Sequence, residues 1–159
     1  GNRPTPARVK AAMWGSEMGQ TAVVMVAAGE QHTCTVVSNG SLWCWGAGSF
    51  GQLGTGTGIE LMPVRVNASG WGDEADQVAV VSVSTGYAHT CVVLADGSLW
   101  CWGFGDKGRL GTGSTANQPT PMRVKAAEWG SGEGQLAVLS VSVEDSHTCA
   151  VVSNGSLWC

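Results

Sequence analysis

Six cysteines fall into three pairs, each ten positions apart: Cys34 and Cys44, Cys91 and Cys101, Cys149 and Cys159. Two thiols at that spacing can form a bridge only if the chain between them doubles back. Each pair encloses a turn signal, Asn39-Gly40, Asp96-Gly97 or Asn154-Gly155, flanked by Val, Thr, Leu and Trp. That is the pattern of a β-hairpin. A two-residue loop sets residue 34 opposite 45 and sends Cys44 to the other face, because side chains alternate along a strand. A three-residue loop, Ser38-Asn39-Gly40 with Gly40 left-handed, sets 34 opposite 44 instead. The two cysteines then form a close, non-hydrogen-bonded pair with Cα atoms about 4.5 Å apart. This register favours three local disulfides. Free buried thiols packing as small apolar groups are a second reading, and bridges between neighbouring hairpins a third.

Other residues invite chemistry less strongly. His32, His89 and His147 each precede a Thr and hold equivalent positions. Imidazole is a common metal ligand, but the repeated His-Thr pair reads better as a source of hydrogen bonds between neighbouring units. Asp73, Glu74 and Asp76 could offer oxygen to calcium; the equivalent segments SEMG and SGEG lack that density, so a solvated loop is expected. Trp43, Trp45, Trp100, Trp102 and Trp158 belong to the second hairpin strands and suit packing between units. Trp14, Trp71 and Trp129 stand alone in a connector. They are the candidate interaction residues if exposed, because aromatics dominate binding hot spots, although their regular recurrence also suits capping a unit. Asn39, Asn67 and Asn154 begin Asn-X-Ser sequons and are candidate glycosylation sites, Asn67 foremost. No Ser-His-Asp set, metal-ligand spacing or phosphate loop stands out. The expectation is a non-enzyme with no catalytic residues, no metal and no cofactor.

Composition narrows the classes further. The 159 residues include 24 Gly and eight Trp, and only 13% are charged. That balance suits a turn-rich β protein. The net charge of −4 comes with no basic run, so binding to nucleic-acid phosphates has no electrostatic footprint. No apolar run is long enough for a transmembrane helix, and direct membrane insertion is not expected. Paired cysteines and sequons together favour an extracellular or cell-surface setting; an intracellular one is the alternative.

The elements that position these residues recur. Arg8, Arg65 and Arg123 align, as do Trp14, Trp71 and Trp129, and Cys34, Cys91 and Cys149; every step is 57 and then 58 residues. A shared period in this range signals a repeat architecture. Each unit offers a Val-rich run (Ala22–Ala28, Ala79–Ser84, Ala137–Val143), the two hairpin strands, a Gly-rich stretch, and a short Pro-led piece such as Pro63–Val66 or Pro121–Val124. The continuous apolar run predicts a strand buried on both faces. The proline confines the last piece to an edge. The Gly-rich stretches read as tight turns anchored by Leu53 and Leu110. Four antiparallel strands per unit predict an all-β fold of propeller blades. The expected division is residues 1–10 as the edge strand of a preceding blade, 11–67 as blade one, 68–125 as blade two and 126–159 as an incomplete blade three.

The motifs Val24, Val26, Gly29, His32-Thr33, Gly40, Leu42, Trp45-Gly46, Gly51-Gln52-Leu53-Gly54, Gly56 and Pro63 resemble the regulator-of-chromosome-condensation repeat. The second unit matches equally except that Arg109 replaces Gln. In the third, Glu144-Asp145 stands where the pattern has Gly, so that bend is expected to be made differently. The resemblance covers nearly the whole chain and implies a propeller of usually seven blades, of which about three are present. A partial ring leaves open edges, so the chain is expected either to belong to a longer propeller or to join head to tail with other copies. Members of the family include a guanine-nucleotide exchange factor for a small GTPase, ubiquitin ligases, receptors and scaffolds, and a secreted β-lactamase inhibitor is similar. The expected function is a protein-interaction or structural module whose partner is a protein or another copy of the assembly. A regulator, either exchange factor or secreted enzyme inhibitor, is the alternative.

Overall fold

The computed structural model describes Val9, residues 22–66, Trp71, residues 78–124 and residues 136–159. Among the described residues, eleven strands form three antiparallel sheets. The first holds β1 (Val23–Ala28), β2 (His32–Val37), β3 (Leu42–Gly46) and β4 (Glu60–Arg65) in that order. The second repeats it with β5 (Val80–Thr85), β6 (His89–Leu94), β7 (Leu99–Gly103) and β8 (Gln118–Arg123). The third holds β9 (Val138–Val143), β10 (Thr148–Val152) and β11 (Leu157–Trp158). These are the four-stranded units of a partial propeller.

The hairpin register follows the three-residue loop. Cys34 faces Cys44, Val36 faces Leu42, and Gly40 takes a φ of 82° with its N–H on the Val37 carbonyl. A left-handed residue is needed there, and glycine occupies it without a Cβ penalty. All six cysteines are paired within their hairpins, with Cα atoms 4.1–4.2 Å apart.

Alternation then gives each sheet two working faces. Cys34, Val36, Leu42 and Cys44 pack forward onto Val80, Val92, Leu94 and Trp102 of the second sheet. Cys91, Val93, Leu99 and Cys101 pack forward onto Val138, Val143, Ala150 and Val152 of the third. Every residue of β6 is therefore buried. The Gly-rich turns are anchored as expected, with Leu53 and Leu110 fully buried. The outer strands β4 and β8 pair on one side only, and they begin three residues before Pro63 and Pro121.

Two expectations need correction. The Val-rich runs are not buried on both faces: Val23, Val24 and Val26 are 52–68% exposed, and Val81 and Leu139 are also exposed. Each of these strands pairs on one side only, and a bulge at Val24, Val81 and Leu139 turns one aliphatic side chain outward. The Glu144-Asp145 bend is also made like the others. Glu144 N–H bonds the His147 carbonyl just as Gly29 bonds His32 and Gly86 bonds His89. Glycine serves another purpose here: a Cβ on Gly29 would lie 2.4 Å from the Gly86 carbonyl oxygen, and one on Gly86 would lie 2.2 Å from that of Glu144. The small residue is required by the next sheet's close approach, and among the described residues no sheet packs against Glu144 in that way.

Candidate protein-interaction surface

Consecutive sheets are joined by a polar relay. His32 Nε2 lies 2.9 Å from Thr90 Oγ1, and Thr90 Oγ1 donates to the Gln52 carbonyl at 2.8 Å. The same relay runs from His89 through Thr148 to the Arg109 carbonyl, at 3.0 and 2.8 Å. Because the hydroxyl proton goes to the carbonyl, the imidazole Nε2–H is the donor to the hydroxyl. Adjacent residues on a strand point to opposite faces, so each His reaches forward to the next sheet and each Thr answers the sheet behind. This fixes the Gly-rich loops at one end of the blades. Burial lowers His32 from the ordinary 6.5 to about 4; burial first, then the charge of Arg109 and the other two histidines, lowers His89 to about 4. Neither Nδ1 has a hydrogen-bond partner.

On this frame the loop end carries an aromatic cluster. Phe50, from the first Gly-rich loop, meets Phe104, from the second, with ring centroids 4.7 Å apart. The Arg109 guanidinium lies over Phe104 at 4.6 Å. Arg109 also donates from Nε to the Asp106 carbonyl and from NH1 to the Asp145 carbonyl at 2.7 Å, and so ties the second loop to the third sheet's bend. Tyr87 is 42% exposed and Phe50 37%. Tyr87 sits in the bend whose Ala88 carbonyl accepts the Phe104 N–H. Arg109 itself is buried, so it braces the loop while Phe50 and Tyr87 present the surface. Exposed aromatics on a rigid support have the composition of a binding hot spot.

Sequence reasoning singled out none of these four residues as contacts. A signal was present: Phe50 and Phe104 are the chain's only two phenylalanines, and both lie in Gly-rich loops. They hold non-equivalent places in their repeats, so reading by period passes over them.

Of the residues expected to make contacts, Trp71 is 1% exposed and packs against Trp100 and Trp102, with centroids 6.2 and 6.1 Å away. It is a core residue and not a contact, because it fills the seam between the first and second sheets. Trp14, Trp129, Asn67, Asp73, Glu74 and Asp76 lie outside the described residues, as do residues 1–8. Trp102 is buried, with its indole N–H on the Gln52 carbonyl, while Trp158 is 37% exposed. Asn39 and Asn154 are exposed at the hairpin turns, the end opposite the Gly-rich loops. Among the described residues no group of three or more His, Cys, Asp or Glu side chains is placed to hold a metal ion. No helix among them is long and apolar enough to cross a membrane.

Four-stranded sheets of constant order, stacked through a repeated His–Thr relay, define a β-propeller repeat protein. The description "Regulator of chromosome condensation (RCC1) repeat" matches residues 39–93 and 96–151, and a second model of that repeat matches 23–52 and 80–109. The chain belongs to this family. It is similar to the Ultraviolet-B receptor UVR8 of Arabidopsis thaliana, 33% identical over 137 residues, which are 86% of this chain and 28% of the receptor. Among solved structures it is similar to human WBSCR16 (24% identity, TM-score 0.75, 90% of this chain and 35% of that one). It is also similar to Prp20p of Saccharomyces cerevisiae, described with its binding properties to Gsp1p and histones (19%, 0.67, 83% and 31%). A further likeness is to the ectodomain of the Physcomitrella patens receptor kinase CR4 (19%, 0.52, 89% and 30%). At these identities the structural likenesses establish the fold alone. The chain spans only 28–35% of the length of these proteins.

Proposed function

We propose that this chain is a non-catalytic recognition module of an extracellular or cell-surface protein, and that it binds a protein partner through the Gly-rich-loop end of its blades. The observation that carries this reading is the Phe50–Phe104–Arg109 cluster with Tyr87 beside it. Residues shared by the units (the His-Thr pair, the cysteines, Leu53 and Leu110) serve the stapling of one blade to the next. Phe50, Phe104 and Tyr87 are residues that the units do not share, whereas Arg109 also ties the second loop to the third sheet. The oxidising setting is supported by the three cysteine pairs and by the likeness of the fold to a receptor ectodomain.

The test is a paired-surface comparison. The secreted protein, wild type or carrying Phe50→Ser and Tyr87→Ser, is crosslinked to its neighbours in its native setting, and the crosslinked proteins are identified. Asn154→Asp, at the opposite end of the blades, serves as the control. A partner retained by wild type and the control but reduced at least about tenfold by the double variant is expected, as for hot-spot losses above 1.4 kcal/mol. Equal capture by all three proteins would refute the assignment of the surface.

A further inference from the structure

We infer that Asn39 and Asn154 are N-glycan attachment sites, set on the end of the blades opposite the aromatic cluster. This inference rests on the secretory setting proposed above. In each turn the Asn side chain uses only its oxygen. Asn39 Oδ1 accepts from Ser41 N–H at 3.0 Å and from the Ser41 hydroxyl at 2.7 Å. Asn154 Oδ1 accepts from Ser156 N–H at 3.0 Å and from the Ser156 hydroxyl. The middle hairpin fixes which atom does this work. Asp96 stands in the same place and makes the same two bonds to Ser98, at 2.9 and 2.6 Å, with a carboxylate that can only accept. The turn therefore needs an acceptor and makes no use of an amide NH2. Among the described residues neither Asn39 Nδ2 nor Asn154 Nδ2 has a hydrogen-bond partner, and both side chains are exposed.

The amide nitrogen that glycosylation consumes is thus the polar side-chain atom of each Asn that the fold leaves free. The co-reactant is a lipid-pyrophosphate-linked oligosaccharide. The nitrogen attacks the anomeric carbon, the carbon–oxygen bond to pyrophosphate breaks, and the amide gives up one proton; nothing is oxidised or reduced. The transfer precedes hairpin closure, and the folded turn accepts the product because Oδ1 keeps both of its bonds. Sugars at these turns would cover one end of the blades and leave the loop end for the partner.

The whole chain is expressed in a secreting eukaryotic host, and its peptides are mapped after enzymatic deglycosylation in heavy-oxygen water. Free thiols are counted by alkylation on the same sample. Heavy Asp is expected at residues 39 and 154. Asn39→Asp and Asn154→Asp each remove one glycan and leave the fold intact, since Asp already serves at residue 96. Asp96→Asn, which completes Asn-Gly-Ser, gains a third in these turns. An unmodified Asn39 or Asn154 in protein whose cysteines are all bridged overturns the proposal for that turn and leaves the oxidising setting standing. Glycans on protein with free thiols would do the reverse.

Discussion

His32 and His89 are buried as neutral rings, each with one nitrogen engaged by a threonine and the other without a partner. Burial strips water from such a ring and disfavours its charged form, and for His89 the charge of Arg109 and the other histidines adds to this, so both pKa values are lowered from 6.5 to about 4. In the unfolded chain both take a proton near the ordinary value. Between those two values the unfolded state binds more protons, so stability falls as the pH falls. The contribution is complete above about 6.5 and gone below about 4, at roughly 3 kcal/mol for each histidine. Urea unfolding from pH 7.5 to 4 should show this decline, and His32→Asn with His89→Asn should flatten it at the cost of lower stability at pH 7. A wild-type protein as stable at pH 4.5 as at pH 7 would contradict the burial argument. Asp96 is shifted in the same direction, but by hydrogen bonds and charge and not by burial. Its partial burial favours the neutral form, but the hydroxyl and N–H of Ser98 and the charge of Arg123 outweigh that and hold its carboxyl below the usual range.

At the scale of the elements, the hairpins were legible in the sequence because their determinants are local. The Asn-Gly turn and the ten-residue cysteine spacing together specify register, and the register sets which side chains share a face. The inner strands were read less well. Their apolar residues are uniform, and whether Val24 or Val81 meets solvent depends on a bulge and on what stands beside the strand, neither of which periodicity encodes. Gly29 and Gly86, before the first two His-Thr strands, read as bend residues in the sequence, whereas their neighbours show them to be spacers. This difference can be measured. Gly86→Ala drives a Cβ into the Glu144 carbonyl and should lower stability by about 1–3 kcal/mol, the range for overpacking. Glu144→Ala, in the same bend of the third sheet, should change it by less than about 0.5 kcal/mol, as surface substitutions do. Thermal melts of the two variants beside wild type decide the matter, and equal losses would return the glycine to the role of a bend.

For the molecule as a whole, the relay does more than hold neighbouring sheets together. Phe50 belongs to the first sheet's loop and Phe104 to the second's, so the cluster exists only while the two sheets keep their relative position. Thr90 sits at that joint, taking the His32 N–H and giving its own proton to the Gln52 carbonyl. Thr90→Val keeps the shape and removes the hydroxyl. The Gln52 carbonyl retains the Trp102 indole N–H, but the buried His32 Nε2–H is left without an acceptor. That loss costs about 1–3 kcal/mol. In repeat proteins stability is a sum over units and the interfaces between neighbours, so the damage should stay local. Hydrogen exchange followed by mass spectrometry should show protection lost in β1–β4 and β5–β8 and largely kept in β9–β11. Thr148→Val should instead loosen the seam between the second and third sheets. If either variant lowered protection evenly across all three sheets, the chain would be one cooperative unit and the relay no more than one bond among many. The surface reading adds a second consequence. Thr90 is fully buried and lies away from the proposed surface, yet its loss should weaken partner capture, because Phe50 and Phe104 would no longer be held against each other. Thr148→Val, which leaves that seam intact, should weaken it less.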